Sequence, residues 1–299
     1  MDWTILGILG AATFAVVSVL DKRLISVSLP SLSSYYLWTG TGRFLWGALA
    51  PVVFGFGIND YGWHLAAAIA AGLIWGGALA FMALGFRLEE ASRVTAVTHS
   101  FPVLSAFLAV IFLGETLGPI QWGAIIVVVL GAIMVSLRGS PRQGVVRLNR
   151  AFPVIVASAV CYALSFFFAK YAVEEVSVWT LFSIRQLGMA AVFLVLGRNA
   201  WREVPVVVGR RSALGLMLVT EFFLANIALI FTLMAVEGGP VSVVSTLAGT
   251  RPLFVFLYTI LLSASWWRFV DEPLDRNVLA TKLVSIVMIV GGVAALSTL

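Results

Sequence analysis

Long apolar runs recur along this chain, separated by short stretches where polar and charged residues gather. Ten such runs are read, at roughly 3–20, 35–57, 63–84, 94–113, 118–137, 152–171, 177–197, 212–235, 240–264 and 277–297. A helix rising about 1.5 Å per residue needs about 20 mostly apolar residues to cross the hydrocarbon core of a bilayer. The runs have that length. A membrane β-barrel would instead show segments of about ten residues alternating apolar and polar side chains, and that pattern is absent. The sequence therefore predicts an all-α polytopic membrane protein of ten transmembrane helices, with no extramembrane domain left over for chemistry. Met1-Asp2-Trp3 offers no basic leader, so the first run is expected to be retained. Gly72 and Gly76 stand at the small-xxx-small spacing that lets helix backbones approach closely.

Composition sharpens this reading. Of 299 residues, 61% are hydrophobic and 11% charged, whereas a soluble domain carries about 25% charge. There are too few polar side chains to cover a water-exposed surface. The lone cysteine, Cys161, has no partner for an intrachain bridge and reads as a small core residue. The net charge of +5 does not point to nucleic acid, because the basic residues lie in short loops between apolar runs. Those loops alternate. One side collects Lys22, Arg23, Arg87, Arg93, the arginines of 138–150, Arg198, Arg202, Arg210, Arg211, Arg268, Arg276 and Lys282. The side of the termini holds Lys170, beside Asp2, Asp60, Glu115, Glu174, Glu175 and Glu237. The positive-inside rule then places both termini outside the cytoplasm of a cell membrane. Trp266 and Trp267, next to Arg268, read as an interfacial belt on the basic side.

The chain also repeats itself. Residues 1–137 and 151–299 read as two copies of a five-helix unit, joined by a basic linker at 138–150. Ala11 to Ala15 followed by Lys22 matches Ala159 to Ala163 followed by Lys170. Arg43 matches Arg185, and Phe81 to Pro102 aligns without a gap to Phe231 to Pro252. Gly114-Glu115-Thr116-Leu117 has a counterpart in Asp271-Glu272-Pro273-Leu274. Five is odd, so the second copy is expected to cross the membrane upside down. Inverted repeats of this kind build transporters whose substrate site lies at the repeat interface near the midplane.

With these residues in view, the run from Glu90-Ala91-Ser92-Arg93 to Phe101-Pro102-Val103-Leu104, closing on Leu113-Gly114-Glu115-Thr116-Leu117, resembles the EamA-like branch of the drug/metabolite transporter superfamily. The resemblance implies a single-chain carrier with a central cavity lined by spans 1, 3, 4, 6, 8 and 9; oligomeric state stays open, although ten helices in two complementary halves are enough for a complete carrier as a monomer. It implies a cargo of amino acids, metabolites, nucleotide sugars or drugs, often moved outward. Many bacterial members keep their termini in the cytoplasm, with basic residues in loops 2–3 and 4–5. Those loops are free of basic residues here, so the charge bias runs against the usual orientation.

Charges inside a span cost about 2.5–3.5 kcal/mol each on insertion scales and mark functional candidates. Arg43, His99, Arg185, Glu221 and Arg251 are the ionisable residues well inside runs. Glu221 and Arg251 fall near one depth when counted inward from their respective ends, so an ion pair between them is an expectation, either structural or as a substrate site. Their repeat counterparts, Ala71 and Phe101, are uncharged. Arg43 and Arg185 occupy matching positions, and are expected to bond helix-end carbonyls or snorkel. His99 reads as a satisfied polar residue of its helix or, as a functional candidate, a proton relay or cavity-lining donor. Phe14, Trp75 and Tyr162 are candidate aromatic walls. Pro102 and Pro252 each remove a helix hydrogen bond and are candidate kinks.

The candidate substrate site is thus Phe14, Trp75, His99, Tyr162, Glu221 and Arg251. Three arginines and one glutamate within runs favour a solute carrying an anionic group. No G-x-x-x-x-G-K-[ST] loop, H-E-x-x-H motif or Cys/His cluster is present, so no ATP-driven pump, metal site, cofactor or enzyme activity is expected. The function expected is secondary-active transport of a small metabolite by alternating access, with a proton or counter-solute as partner. The alternatives are a membrane sensor or assembly subunit without flux, and a carrier of organic cations or drugs in an aromatic cavity.

Overall fold

A computed structural model describes residues 2–57, 62–88, 94, 97–136, 151–264 and 276–297. The described residues are helical almost throughout. The helices are α1 (Trp3–Arg23), α2 (Leu32–Phe54), α3 (Trp63–Leu88), α4 (Phe101–Phe112), α5 (Pro119–Ser136), α6 (Ala151–Val173) and α7 (Val178–Gly197). They continue with α8 (Val204–Gly209), α9 (Arg211–Met217), α10 (Ala225–Gly238), α11 (Val241–Gly249), α12 (Arg251–Ala264) and α13 (Arg276–Ser297). Short polar side chains open several of them. Asp2 accepts from the amide of Thr4 at 3.0 Å, Ser31 from that of Ser34 at 3.1 Å and Ser177 from that of Thr180 at 3.3 Å. Each satisfies a donor that the first helical turn leaves over.

Among the described residues, five helical stretches are long and apolar enough to cross a membrane: Trp3–Arg23, Trp63–Leu88, Phe152–Ala172, Val178–Gly197 and Arg211–Gly238. Phe101–Phe112, Pro119–Met134, Val241–Val255 and Val284–Val293 are apolar but shorter. Part of the shortening comes from breaks that the apolar runs did not announce. The run at 94–113 leaves helix in a turn at His99–Ser100, and the run at 240–264 does so at Thr250. Pro102 and Pro252 are each the second residue of the helix that follows. There a proline forfeits no helix bond, so a break takes the place of the expected kink. Glu89 to Arg93, Asp60, the 138–150 linker, Trp266 to Arg268 and the Asp271 to Leu274 match lie outside the described residues.

Two stretches widen into π-helix: Leu24–Ser28, continuing α1, and Leu218–Leu224, between α9 and α10. Packing pairs α2 with α7, α3 with α6, α1 with α10, α4 with α11 and α5 with α13. α3 also crosses α7 at a backbone-to-backbone contact. A Cβ on Gly188 would lie 2.8 Å from the backbone of Gly72 and Leu73, and one on Gly72 would lie 2.8 Å from Arg185 Cα. Only glycine permits that approach.

One end of the bundle is tied down by charge. Glu115 accepts from the amides of Val241 at 2.6 Å and Ser242 at 3.2 Å, and from the Ser242 hydroxyl at 2.5 Å, capping α11. Lys170 Nζ donates to the carbonyls of Val236 and Gly239, both at 3.0 Å, where α10 ends. An anion at a helix start and a cation at a helix finish both oppose the local dipole charge.

Candidate functional site

An interior cavity lies where α3, α4, α6 and the α11–α12 break converge. Trp75, Thr98, His99, Phe101, Tyr162, Phe166, Ala248 and Arg251 line it. Its walls are mostly rings. Trp75 meets Tyr162 edge-on at 5.0 Å between centroids, and Phe101 stacks on Phe166 at 5.5 Å. The free space among them is about 10 Å³, about what one water needs and far short of the about 300–1,000 Å³ of a typical ligand pocket.

Arg251 is the charged group of the lining. It opens α12, stays only 7% exposed, and lays its guanidinium 4.5 Å from the centroid of Phe14 and beside the Tyr162 hydroxyl. Its Nε has no hydrogen-bond partner, and neither does the buried hydroxyl of Thr98. Arg185 stands behind the wall with its guanidinium 4.5 Å from the Trp75 ring. It is fully buried, and its Nη2 donates to Ser165 Oγ at 3.1 Å while Nε and Nη1 are left without acceptors. Among the described residues no carboxylate forms an ion pair with either arginine. A desolvated cation over a ring gains about 2 kcal/mol. That does not replace a counter-charge.

Four of the six residues expected at the site therefore meet around one space: Trp75, His99, Tyr162 and Arg251. Phe14 is adjacent, beneath Arg251. Glu221 is elsewhere, and the expected pair with Arg251 is not formed. Its partner is Arg43, whose Nη2 lies 3.0 Å from Glu221 Oε2. Depth along a helix matched Glu221 to Arg251, but Glu221 meets Arg43 of α2 while Arg251 rests on Phe14 of α1. Arg43 likewise does not snorkel or seek a helix end, and is buried at 3% exposure. Its Nη1 donates to Gln186 Oε1 at 3.4 Å and Asn226 Oδ1 at 3.3 Å, and Gln186 Nε2 donates to the same Asn226 oxygen. Tyr35 donates to Glu221 Oε1 at 3.3 Å.

This second polar cluster joins α1, α2, α7, the π segment and the start of α10, and the sequence reading missed most of it. Tyr35, Gln186 and Asn226 were not singled out, nor was Asp21, which lies beside Glu221 and Tyr35. A usable signal existed for Asp21. It follows Phe14 by seven positions, two helical turns, and so shares its face of α1.

The family model of the EamA-like transporters matches residues 1–137. No curated protein matches. Among solved structures 29 chains match. One crystal structure aligns with a TM-score of 0.74 at 17% identity, covering 99% of this chain and 96% of that one. At that identity the likeness speaks for the fold alone, and it extends over the half of the chain beyond the family match. Over residues 1–137, a little under half of its length, this multi-pass membrane protein is thus similar to the EamA-like transporter family.

Proposed function

We propose that the chain is a secondary carrier for a small solute bearing a carboxylate or comparable anionic group, bound in the cavity around Arg251. The observation that carries this is a buried guanidinium, with an unpartnered Nε, on the wall of an aromatic chamber where two helices begin. An Arg fork recognises carboxylates and phosphates through charge-assisted bonds. The positive ends of α4 and α12, starting at Phe101 and Arg251, add to the same attraction. Thr98, His99 and Tyr162 supply further polar contacts, and the rings of Trp75, Phe101 and Phe166 hold the apolar body of the solute.

Alternating access between two inverted five-helix units, 1–137 and 151–299, fits this site. Its support is the pairing of helices. Exchanging the two halves turns the α1–α10 contact into α6–α3 and the α4–α6 contact into α12–α1, and all four occur. The alternate-loop charge bias supports termini outside the cytoplasm.

The test is a thermal-shift screen of the purified protein against amino acids, organic acids, nucleotide sugars and quaternary amines, since a ligand of the native state raises its apparent stability. Flux of any stabilising solute is then measured in proteoliposomes. A carboxylate-bearing hit with flux supports the proposal. Stabilisation by quaternary amines alone, or binding without flux, defeats it.

A further inference from the structure

Two carboxylates and one guanidinium meet at the second cluster, away from the cavity. Glu221 receives Arg43 on one oxygen and the Tyr35 hydroxyl on the other. Asp21 approaches from α1, beside Glu221 and Tyr35 and within the field of Arg43. Its Oδ1 is buried without a hydrogen-bond partner. Fully ionised, the three groups carry one negative charge too many, with two anions side by side in a medium that screens poorly. Like charges so placed do not both ionise readily. One proton leaves Arg43 facing a single anion and gives the carboxyl pair a hydrogen to share.

The surrounding backbone is built around these two residues. Asp21 stands just before the π segment Leu24–Ser28, and Glu221 lies in the middle of Leu218–Leu224. Such widened turns recur at functional sites. The carbonyls of Glu221 and Phe222 are taken by Asn226 Nδ2 at 2.9 and 2.8 Å, and Trp46 Nε1 donates to Phe222 O at 2.6 Å. The buried hydroxyl of Thr220, next to Glu221, has no partner. In the repeat alignment Asp21 and Glu221 fall opposite Ala169 and Ala71, so the matching half does without either carboxylate.

We infer that Asp21 and Glu221 together form a proton-binding site that is linked to the solute cavity. The link runs along α1. One face presents Phe14 to Arg251 and, two turns on, Asp21 to Glu221, Arg43 and Tyr35. Asp21 is also an electrostatic neighbour of Arg251 and Tyr162. Ionised, it competes with an anionic solute for the Arg251 charge. Protonated, it does not, so proton and anion favour each other's binding. The consequence for transport rests on the carrier reading above; the site itself does not.

Infrared titration of the purified protein without solute tests it. The wild type shows the carbonyl stretch of a protonated carboxyl, which disappears as pH rises. The band shifts when the protein carries carbon-13-labelled aspartate, and it is lost in Asp21→Asn and in Glu221→Gln. The labelled wild type makes the assignment even where a variant fails to fold. Absence of a protonated-carboxyl band from the folded wild type overturns the proposal, as does a band unmoved by the label and unchanged in both variants. Loss of the band on adding sodium at constant pH replaces the proton with a metal cation and overturns it equally. The readout needs no flux, so its failure leaves the carrier reading standing, and a solute screen without hits leaves the carboxyl pair standing.

Discussion

Arg43 and Glu221, 178 positions apart in the chain, meet at 3.0 Å with neither side chain more than 4% exposed. The contact joins α2 to the π segment above α10, and so joins the amino-terminal and carboxy-terminal halves of the chain through one ion pair. Removing one member leaves the other buried without its counter-charge, at a cost of about 3–5 kcal/mol. Arg43→Ala and Glu221→Ala are each expected to destabilise the protein by that order. The double replacement by Met and Leu is expected to recover much of the loss, because apolar isosteres carry no desolvation penalty. Unfolding midpoints in detergent give the comparison, and additive losses would count against the pair.

Arg251 is a test of chemistry more than of stability, since its guanidinium rests on Phe14 without an ion-pair partner among the described residues. A hydrogen bond to a charged group contributes about 1.5–3 kcal/mol. Arg251→Ala is therefore expected to weaken binding of a carboxylate solute about 10- to 150-fold while the protein still elutes as a folded species. Arg251→Lys keeps the charge but not the fork, and should fall between the two in calorimetric titration.

Glu115 holds the start of α11 through two amides and a hydroxyl. Glu115→Ala frees all three at once, and a lost cap of this kind costs about 1–2 kcal/mol. Hydrogen exchange should speed up at the amides of Val241 and Ser242, with little change in α3 or α7.

The α3–α7 crossing separates two glycines that look alike in sequence. Gly188→Ala drives a methyl into the backbone of Gly72 and should destabilise by about 1–3 kcal/mol through overpacking. Gly77→Ala meets nothing within 4 Å and should be neutral or stabilising, since alanine favours helix over glycine. Melting curves of the two variants are sufficient.

Helix positions were legible because apolar length is a local property of the chain. The breaks at His99–Ser100 and Thr250 were not. A proline tells where a helix bond is lost, but bending or ending depends on which neighbours take the freed groups. The same limit governs the site. Trp75, His99 and Arg251 stand out by residue type inside apolar runs and Tyr162 by its repeat position as well, and the structure brings them to one cavity. The Glu221–Arg251 pairing failed because residue counting fixes height along a helix and says nothing of azimuth. Asp21 escaped because it adjoins Lys22 and Arg23 at the end of an apolar run, where a carboxylate looks like ordinary interface chemistry. Its partners arrive from residues far along the chain, and no local pattern announces them.

The tight ring-walled chamber has a thermodynamic corollary. If a solute of metabolite size binds there, as proposed above, the stacked Phe101 and Phe166 must first part. Whatever grip Arg251 exerts is then divided by the rarity of the parted form. On the carrier reading, trimming Phe166 to leucine removes one ring contact to the solute and also eases the parting, and calorimetric affinity of the variant against wild type shows which of the two dominates.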